Sequence, residues 1–226
     1  MLDSNKILKT FTGSAPIFPL PDFVMFPRTA YSFNIFEPRY KKLVSDILDG
    51  DNFFCSTLLA EKEENNSPPK FHSYGTLCYI IEHSKKDNGN YNIIASGLKK
   101  VSINEVESNH PYRIGELELI DDSKVIIEEQ LKRKKLINKF ISLITSNESE
   151  AIEIKSLDTS FISTEMLTNL ACLVLPLDSK DKQKLLELND VDLRLDVLCQ
   201  FMDSELKVES DLLNFHQIIP TNIKWN

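Results

Sequence analysis

Two neighbouring stretches near the N-terminus decide the fold of the first half of this chain. Residues 16–27 read PIFPLPDFVMFP, and residues 34–40 read NIFEPRY. The first is an apolar strand pattern interrupted by prolines, and the second predicts a strand that leads directly into a helix. Pro38 suits the first helical turn, where its missing N–H leaves no bond unmade. Apolar residues then recur at helical spacing as far as Leu48, and Gly50 is the predicted C-cap.

Short apolar runs broken by turn signals continue to residue 122, which is typical of strands rather than helices. Residues 87–90, DNGN, lie between two such runs and predict a hairpin turn. Ser96-Gly97-Leu98 interrupts another run and predicts a β-bulge or sharp bend. The polar segment 61–70 predicts an exposed loop. The predicted strands are Ala15–Leu20, Tyr31–Phe36, Phe53–Ala60, Gly75–His83, Tyr91–Ser96, Lys99–Val106 and Arg113–Ile120.

The periodicity becomes helical after residue 122. The predicted helices are Val125–Thr145, Ser163–Leu175, Asp178–Leu188 and Asp190–Leu206. The last two begin with Asp residues that suit a helix N-cap. Four helices with short connections predict a helical bundle. The expected fold class is therefore α+β, with a β-rich domain at residues 1–122 and a helical domain at residues 123–226.

The composition excludes several classes of protein. The 226 residues carry 26 basic and 34 acidic side chains, a net charge of −8, which disfavours a broad nucleic-acid or anionic-membrane surface. The 6 glycines are too widely spaced for a Walker A loop or a dinucleotide fingerprint. We therefore expect no cofactor.

The cysteine and histidine spacing also disfavours a local metal site. Cys55, Cys78, Cys172 and Cys199 form no C-x-x-C pair and lie in apolar surroundings, which predicts buried, reduced thiols. The 4 histidines form no H-E-x-x-H motif and no close pair, so we expect no metal site. No secretory leader is visible, and the longest apolar run is far shorter than a membrane span. These features predict a cytoplasmic protein without a membrane contact.

No residue pattern points to catalysis, so we expect no catalytic residues and no enzyme. The carboxylates at residues 61–64 lie in a polar setting that gives them no acid–base role. A G-x-S-x-G elbow is absent, although a Ser–Lys dyad stays open because a fold can join distant residues. The basic run 132–135 points in four directions around a helix, which predicts a solvated surface.

Several segments together resemble a known family, the N-terminal substrate-binding domain of the ATP-dependent Lon protease. The opening carries Phe18-Pro19-Leu20, Phe26-Pro27 and Phe36-Glu37-Pro38-Arg39-Tyr40. Further similarity lies in Gly75-Thr76, Ser96–Val101, Pro111-Tyr112-Arg113 and the helical stretches 167–177, 181–187 and 190–195. The resemblance covers residues 15–206 and is greatest to stand-alone bacterial proteins made only of that domain. It implies a twisted, PUA-like β pseudo-barrel followed by a helical bundle.

The resemblance also implies a function, which is the binding of unfolded or extended protein segments without ATP hydrolysis or peptidase activity. Two alternatives stay open: an adaptor that docks on a separate Lon-type ATPase, and an RNA-binding protein, which the negative charge disfavours. The candidate site residues are the motif Phe36, Glu37, Pro38, Arg39 and Tyr40. The sequence leaves open whether they bind a partner or stabilise the fold, and it leaves the ligand and the oligomeric state unassigned.

Two hypotheses place these roles in the fold. Arg39 is expected to tie the helix start to the barrel, because a guanidinium satisfies several acceptors at once. A partner is expected on the β half or in a groove between the halves, where strand edges pair with extended segments. The strands after Gly75 are the favoured edges, since the prolines of residues 16–27 are expected to guard another edge.

Overall fold

The computed structural model describes residues 4–60, 69–123, 133–134, 136–138 and 162–203, and the chain divides into two units, Met1–Asp121 and Asp122–Asn226. The strands of the first unit are β1 (Ser14–Leu20), β2 (Ala30–Ile35), β3 (Phe53–Leu59), β4 (Phe71–Lys85), β5 (Tyr91–Val106) and β6 (Arg113–Ile120). Its helices are α1 (Ser4–Leu8) and α2 (Pro38–Leu48). The second unit contains α3 (Thr164–Val174), α4 (Ser179–Glu187) and α5 (Val191–Asp203).

The six strands form a sheet that closes on itself. Their order is β2-β5-β4-β3-β1-β6, and β6 pairs in turn with β5. β5 is long enough to serve both neighbours, because Tyr91–Ser96 pairs with β2 and Lys100–Val106 pairs with β6. β1 and β3 are parallel, and the other pairs are antiparallel. The predicted α+β class with a twisted β pseudo-barrel is therefore confirmed.

Two of the predicted strands are one continuous strand. β5 runs through Gly97, and its register with β4 shifts there, so that Leu77 lies opposite Lys99 while Cys78 lies opposite Gly97. Leu98 is the extra residue. The predicted bulge is confirmed, whereas the break between two strands is wrong because a bulged strand continues past its irregularity.

The bulge allows the loop after β1 to approach β5 closely. The Gly97 N–H donates to the carbonyl of Thr29 over 2.8 Å. A Cβ at position 97 would overlap the carbonyl oxygen of Phe26, so only glycine fits there. Thr76 is buried and donates its hydroxyl to the carbonyl of Met25 over 2.6 Å. Three sequence segments that carry the family resemblance therefore meet, and their contacts determine the fold.

Helix α2 buries one face against the strands. Its buried residues Tyr40, Leu43, Val44 and Ile47 have the spacing of a single helical face. They belong to an aromatic-rich core cluster with strand residues that include Phe18, Phe33, Phe54, Ile80 and Ile93. The motif at the helix start is therefore attached to the barrel through an apolar contact.

The end of α2 differs from the prediction. The C-cap is Asp49, and Gly50 does not adopt the left-handed backbone of a glycine cap. The left-handed residue is Asn52, with φ 64, and its N–H donates to the carbonyl of Ile47 over 2.9 Å. Asparagine tolerates this conformation better than most residues, which explains how it replaces the glycine.

The sequence analysis did not predict α1. Its five residues are too short to show a helical period. Ile7, Leu8 and Phe11 nevertheless pack against a second apolar cluster, which includes Phe53, Leu77, Leu98 and Val101. The rings of Phe11 and Phe53 meet edge to face at 5.2 Å. The barrel strands therefore bury side chains in two clusters.

Helices α3, α4 and α5 of the second unit begin with side-chain caps. The Ser163 hydroxyl accepts from the Met166 N–H over 3.1 Å, and the Asp178 carboxylate accepts from the Lys180 N–H over 2.9 Å. Asp190 accepts from the N–H of Asp192 over 2.8 Å. The acidic starts of the last two helices are confirmed.

The first predicted helix of this unit, Val125–Thr145, lies largely outside the described residues, and so does most of the predicted loop 61–70. Within that helix, residues 133–134 and 136–138 are helical. The four-helix bundle and the domain bounds 1–122 and 123–226 stay predictions.

Arg194 is the centre of the second unit and is 0% exposed. Its Nη1 donates to Asn169 Oδ1 over 2.8 Å and lies 2.8 Å from Asp122 Oδ2. Its Nε and Nη2 donate to the carbonyls of Leu185 and Leu188 over 2.8 and 2.5 Å. One buried guanidinium thus connects α3, the chain around α4, and the start of the unit. Such a charge is tolerated because its donors are satisfied.

All four cysteines are free and buried, as predicted. Burial raises the pKa of the Cys172 thiol to about 12, so this thiol stays protonated at neutral pH. Within the described ranges no helix is long and apolar enough to cross a membrane. The same residues bring no three His, Cys, Asp or Glu side chains together as a metal site.

Candidate functional site

The five motif residues at the start of α2 divide between surface and core. Phe36 is 64% exposed, whereas Tyr40 is only 7% exposed and packs in the aromatic-rich cluster. Pro38 begins the helix, as its missing N–H allows. Glu37 and Arg39 are each about half exposed. The motif therefore combines one buried anchor with a mostly exposed face.

Arg39 and Glu37 form a local ion pair. The Glu37 carboxylate accepts from Arg39 Nε over 3.0 Å, and Nη2 also lies 3.0 Å from the same oxygen. The guanidinium lies 4.7 Å from the centroid of the Tyr40 ring. These partners all belong to the helix start, so the described contacts do not tie Arg39 to the barrel as the sequence hypothesis expects. An exposed pair of this kind adds little stability.

Tyr40 is the anchor of the motif. Its ring meets the ring of Phe18 edge to face at 4.7 Å. Burial raises the pKa of the Tyr40 phenol, and the positive charges of Arg39 and Arg113 oppose that rise. The phenol thus lies within the electrostatic range of two guanidinium groups that are 74 residues apart in sequence.

A cleft of about 140 Å³ opens beside Arg39 and Tyr40, wholly within the first unit. Its apolar walls come from Ile17, Pro19, Leu59, Pro69 and Pro111, and its polar walls come from Arg39, Tyr40, Tyr112 and Arg113. We call it the β1 cleft. β6 begins at Arg113, opposite Ile17, so the rest of β1 runs beyond the pairing with β6.

Tyr112 is a fixed wall of the β1 cleft. Its hydroxyl donates to Asp46 Oδ2 over 2.8 Å, which connects the start of β6 to α2. Burial and the Asp46 carboxylate raise the pKa of Tyr112, so its hydroxyl remains a donor. Hydrogen bonding from Lys42 is the main cause that lowers the pKa of Asp46, so this acceptor stays charged.

Arg113 is the most deeply placed cation of the cleft, with a side chain 21% exposed. Its Nε lies 3.2 Å from Glu105 Oε1, and its guanidinium lies 5.0 Å from the centroid of the Phe71 ring. Its Nη1 is buried and has no hydrogen-bond partner among the described residues. A buried donor without a partner is uncommon in folded proteins.

A second depression shares part of its lining with the β1 cleft. It is lined by residues 105–113, includes Pro111, Tyr112 and Arg113 of the cleft, and has a volume of about 590 Å³. His110 stacks on Tyr112 at 4.9 Å between ring centroids. Residues 111–113 therefore border both the cleft and the depression along the loop that joins β5 to β6.

The structure brings together only part of the candidate site. Arg39 and Tyr40 line the β1 cleft, whereas Phe36, Glu37 and Pro38 do not. Tyr112 and Arg113 are the residues that the sequence analysis missed as site residues. The string Pro111-Tyr112-Arg113, noted there only as a similarity, was the available signal.

The predicted sheet edges also need correction. β1 lies between β3 and β6, so the hypothesis that its prolines guard a sheet edge of the folded protein is wrong for Ser14–Ile17. β4 has β3 on one side and β5 on the other over most of its first half. A free edge after Gly75 is therefore not the main feature of this region, and the β1 cleft replaces it as the candidate site.

The fold defines a class: a closed β barrel with a helix packed against its strands, followed by a helical unit. The family model of the ATP-dependent protease La (LON) substrate-binding domain matches residues 14–204. The chain belongs to this family. The family suggested by the sequence resemblance is confirmed.

Two solved structures share the fold. The N-terminal domain of a Mycobacterium avium complex Lon protease has a TM-score of 0.66 and 15% identity, covering 85% of this chain and 100% of that chain. A Lon N-terminal domain protein from Xanthomonas campestris has a TM-score of 0.59 and 20% identity, covering 84% and 98%. At these identities the likeness establishes the fold alone.

The curated relatives are bacterial Lon proteases. That of Buchnera aphidicola subsp. Schizaphis graminum is 28% identical over 206 residues, which are 88% of this chain and 26% of the relative. That of Escherichia coli K12 is 24% identical over 213 residues, which are 92% of this chain and 26% of the relative. The chain thus spans about a quarter of the length of the curated relatives it matches.

Proposed function

We propose that this chain binds unfolded or extended protein segments in the β1 cleft and is not itself an enzyme. One observation carries the proposal: in a LON substrate-binding domain, the family motif and Pro111-Tyr112-Arg113 meet at one cleft. The cleft has apolar walls and a few convergent polar groups, as binding sites commonly do. Its volume of about 140 Å³ suits a single side chain better than a cofactor.

The exposed Phe36 supports the same placement. It is 64% exposed and lies three residues before Arg39, a residue of the cleft wall. Large aromatic side chains contribute strongly to protein interfaces because they bury much apolar area. Phe36 thus offers a contact for a segment whose side chain occupies the cleft.

The non-enzymatic part of the proposal rests on chemistry. The glycine spacing of the sequence provides no Walker A loop, so ATP turnover has no phosphate cradle of that type. The described residues that line the β1 cleft present cations, phenols and prolines, which bind and orient but include no nucleophile paired with a base. A purified preparation should show no protein-dependent ATP or peptide hydrolysis, and measurable turnover would overturn this part.

The binding proposal is tested by hydrogen–deuterium exchange with and without a permanently unfolded model protein. We expect protection at the end of β1, the start of α2 and residues 105–113, and none with the folded form of the same model protein. Protection confined to α3–α5 would contradict the placement. No protection anywhere would contradict binding itself.

A matched pair of variants sharpens the test. Phe36→Ala removes an exposed aromatic that precedes the cleft residue Arg39 by three positions, and Leu193→Ala removes a 48% exposed apolar residue of α5. Affinity for the unfolded protein, measured by fluorescence anisotropy, should fall for the first and stay unchanged for the second. The adaptor alternative predicts instead that purified Lon-type ATPase binds while the unfolded protein does not.

A further inference from the structure

We infer that the β1 cleft recognises a carboxylate of the bound protein segment, held by Arg113 and Arg39. The carboxylate is an Asp or Glu side chain or the C-terminus of the segment. This inference rests on the proposed function, because it assigns the chemistry of the segment that the site would bind.

The charge of the cleft lining supports an anionic ligand. Among the described residues that line it are two arginines and no carboxylate. Each arginine already has one acidic neighbour, Glu37 or Glu105. A guanidinium has five N–H donors, so one such neighbour leaves donors for a second acceptor.

Arg113 carries the strongest indication. Its contact with Glu105 uses Nε, while its buried Nη1 has no partner in the described part of the chain. A buried donor without a hydrogen bond costs free energy, and a carboxylate oxygen is the acceptor that forms the strongest bond with a guanidinium. The two positive charges at the cleft favour an acidic group over an amide there, and such a group would also supply an acceptor for Nη1 if the Arg113 side chain turned towards it.

The two arginines converge on one place. Both act electrostatically on the Tyr40 phenol, although one precedes it in α2 and the other begins β6. The Tyr112 hydroxyl is already committed to Asp46, so it shapes the wall and leaves recognition to the arginines. A carboxylate between Arg39 and Arg113 would accept from both, as guanidinium–carboxylate pairs commonly do.

The shapes of the cleft and the depression favour a protein segment as the carrier of this carboxylate. The cleft of about 140 Å³ has room for one side chain or a terminal group, and the depression of about 590 Å³ lies along residues 105–113. An extended chain can lie along that depression with its acidic group in the cleft. The apolar walls, Ile17, Leu59 and the prolines, suit the neighbouring apolar side chain.

The experiment uses four fluorescein-labelled peptides of one apolar, unstructured sequence. They carry either a single internal Glu or Gln, combined with either a free or an amidated C-terminus. Fluorescence anisotropy with the full chain should show about tenfold or tighter binding for an acidic form over its neutral match. The Glu/Gln pair and the acid/amide pair separately report which carboxylate is recognised.

Variants assign the preference to the cleft. Arg113→Gln should abolish the preference for the acidic peptide, Arg39→Gln should reduce it, and Lys86→Gln, in the exposed turn between β4 and β5, should keep it. Arg113→Lys retains the charge and should retain part of the preference. Circular dichroism melting of each variant shows that the barrel is intact.

Three results would overturn the inference, and they differ in meaning. If all four peptides bind equally, the cleft does not read a carboxylate, while the proposed binding function stands. If an acidic preference survives in both Arg113→Gln and Arg39→Gln, the carboxylate is read elsewhere. If no peptide and no unfolded protein binds, the proposed function fails together with the inference.

Discussion

The two units of this chain stabilise their interiors by different chemistry. The barrel buries mostly rings and aliphatic side chains, with Phe18 in edge contact with Phe33, Tyr40 and Phe54, although Lys100 of β5 is buried there as well. The helical unit places the charged side chain of Arg194 at its centre, paired with Asp122 and Asn169. The barrel closes its backbone bonds strand to strand, whereas the short helices use the guanidinium as a shared partner for their ends.

This contrast shows where each unit is vulnerable. Apolar packing tolerates changes that conserve volume, and it fails where backbone segments approach too closely for a larger residue. A buried charged side chain tolerates few substitutions, because removal of the charge or of its partners leaves unsatisfied polar groups. The predictions below test the contrast from the largest expected effect to the smallest.

The largest effect is expected from removal of the buried charge. Arg194→Met leaves the Asp122 carboxylate and two carbonyls without their donor, which should lower the free energy of unfolding of the helical unit by about 3–5 kcal/mol. Urea unfolding followed by hydrogen exchange of α3–α5 measures it. Lys184→Met, which removes an exposed pair with Asp181, is the control and should change the free energy of unfolding far less. Equal losses in the two variants would remove the contrast.

The barrel should respond most to a change in close packing. Gly97→Ala forces a methyl group against the Phe26 carbonyl and should cost about 3 kcal/mol, the upper end of typical overpacking. Gly50→Ala is the control, because a Cβ there lies 3.4 Å from the nearest atom. Thermal unfolding by circular dichroism compares the two. A Gly97→Ala protein as stable as the control would show that the loop after β1 yields easily.

The partly buried amine of Lys182 makes the stability of the helical unit depend on pH. Burial lowers the pKa of this amine to about 8, from 10.5 in the unfolded chain, and its Nζ donates to the Leu173 carbonyl over 2.7 Å. Between these pH values the unfolded chain binds a proton that the folded chain lacks, so folding becomes more favourable as pH rises. Below pH 8 the full cost of burying the charge is present.

The measurement compares urea unfolding of the native chain and Lys182→Met at pH 7 and pH 10. Relative to the variant, the native chain should gain about 1–2 kcal/mol at the higher pH. Lys180→Met, which changes an exposed cation of the same helix, should show no such pH-dependent difference. A native-minus-variant difference that does not change with pH would refute the assigned pKa.

The smallest effect is expected at Arg39, the same residue type in the opposite setting. It is half exposed and pairs with Glu37 at the helix start, so Arg39→Ala should change the unfolding free energy by less than about 1 kcal/mol. This is smaller than the sequence hypothesis of a structural tie implies. Differential scanning calorimetry of Arg39→Ala and Arg194→Met compares the two losses of stability. A loss in Arg39→Ala as large as that in Arg194→Met would show that Arg39 has a structural role.

Local patterns predicted much of the fold. The apolar spacing from Tyr40 to Ile47 predicted α2, and the carboxylates of Asp178 and Asp190 predicted helix starts, because these signals act within one or two turns. The family resemblance added the barrel, which no local pattern specifies. Elements of little more than one helical turn, such as the five residues of α1, show no repeated apolar spacing and were not predicted.

Features that depend on contacts between distant residues could not be predicted from local sequence patterns. Arg194 lies in an ordinary helical pattern with acidic neighbours, which is typical of an exposed residue, and only tertiary packing shows that it is buried. The β1 cleft likewise joins Arg39 to Arg113 across the closed barrel. Neither spacing nor composition indicates that these residues lie close together. The motif therefore contained Arg39 and Tyr40 of the cleft but not Tyr112 and Arg113.

The pairing of Ser14 with Glu116 also sets the order in which the barrel can be assembled during synthesis. β1 acquires β3 as a neighbour about 40 residues later, but its other neighbour is produced only after about 100 residues, roughly 5–20 s at bacterial rates of synthesis. During that interval one edge of β1 is exposed to other nascent chains. Pro16 and Pro19 have no N–H, and because they are three residues apart, one missing donor lies on each edge of the strand. The edge that later meets β6 therefore lacks one donor, which makes the incomplete barrel a poorer template for intermolecular pairing. Residues that occupy an interior strand in the finished protein thus protect it while it is still unfinished.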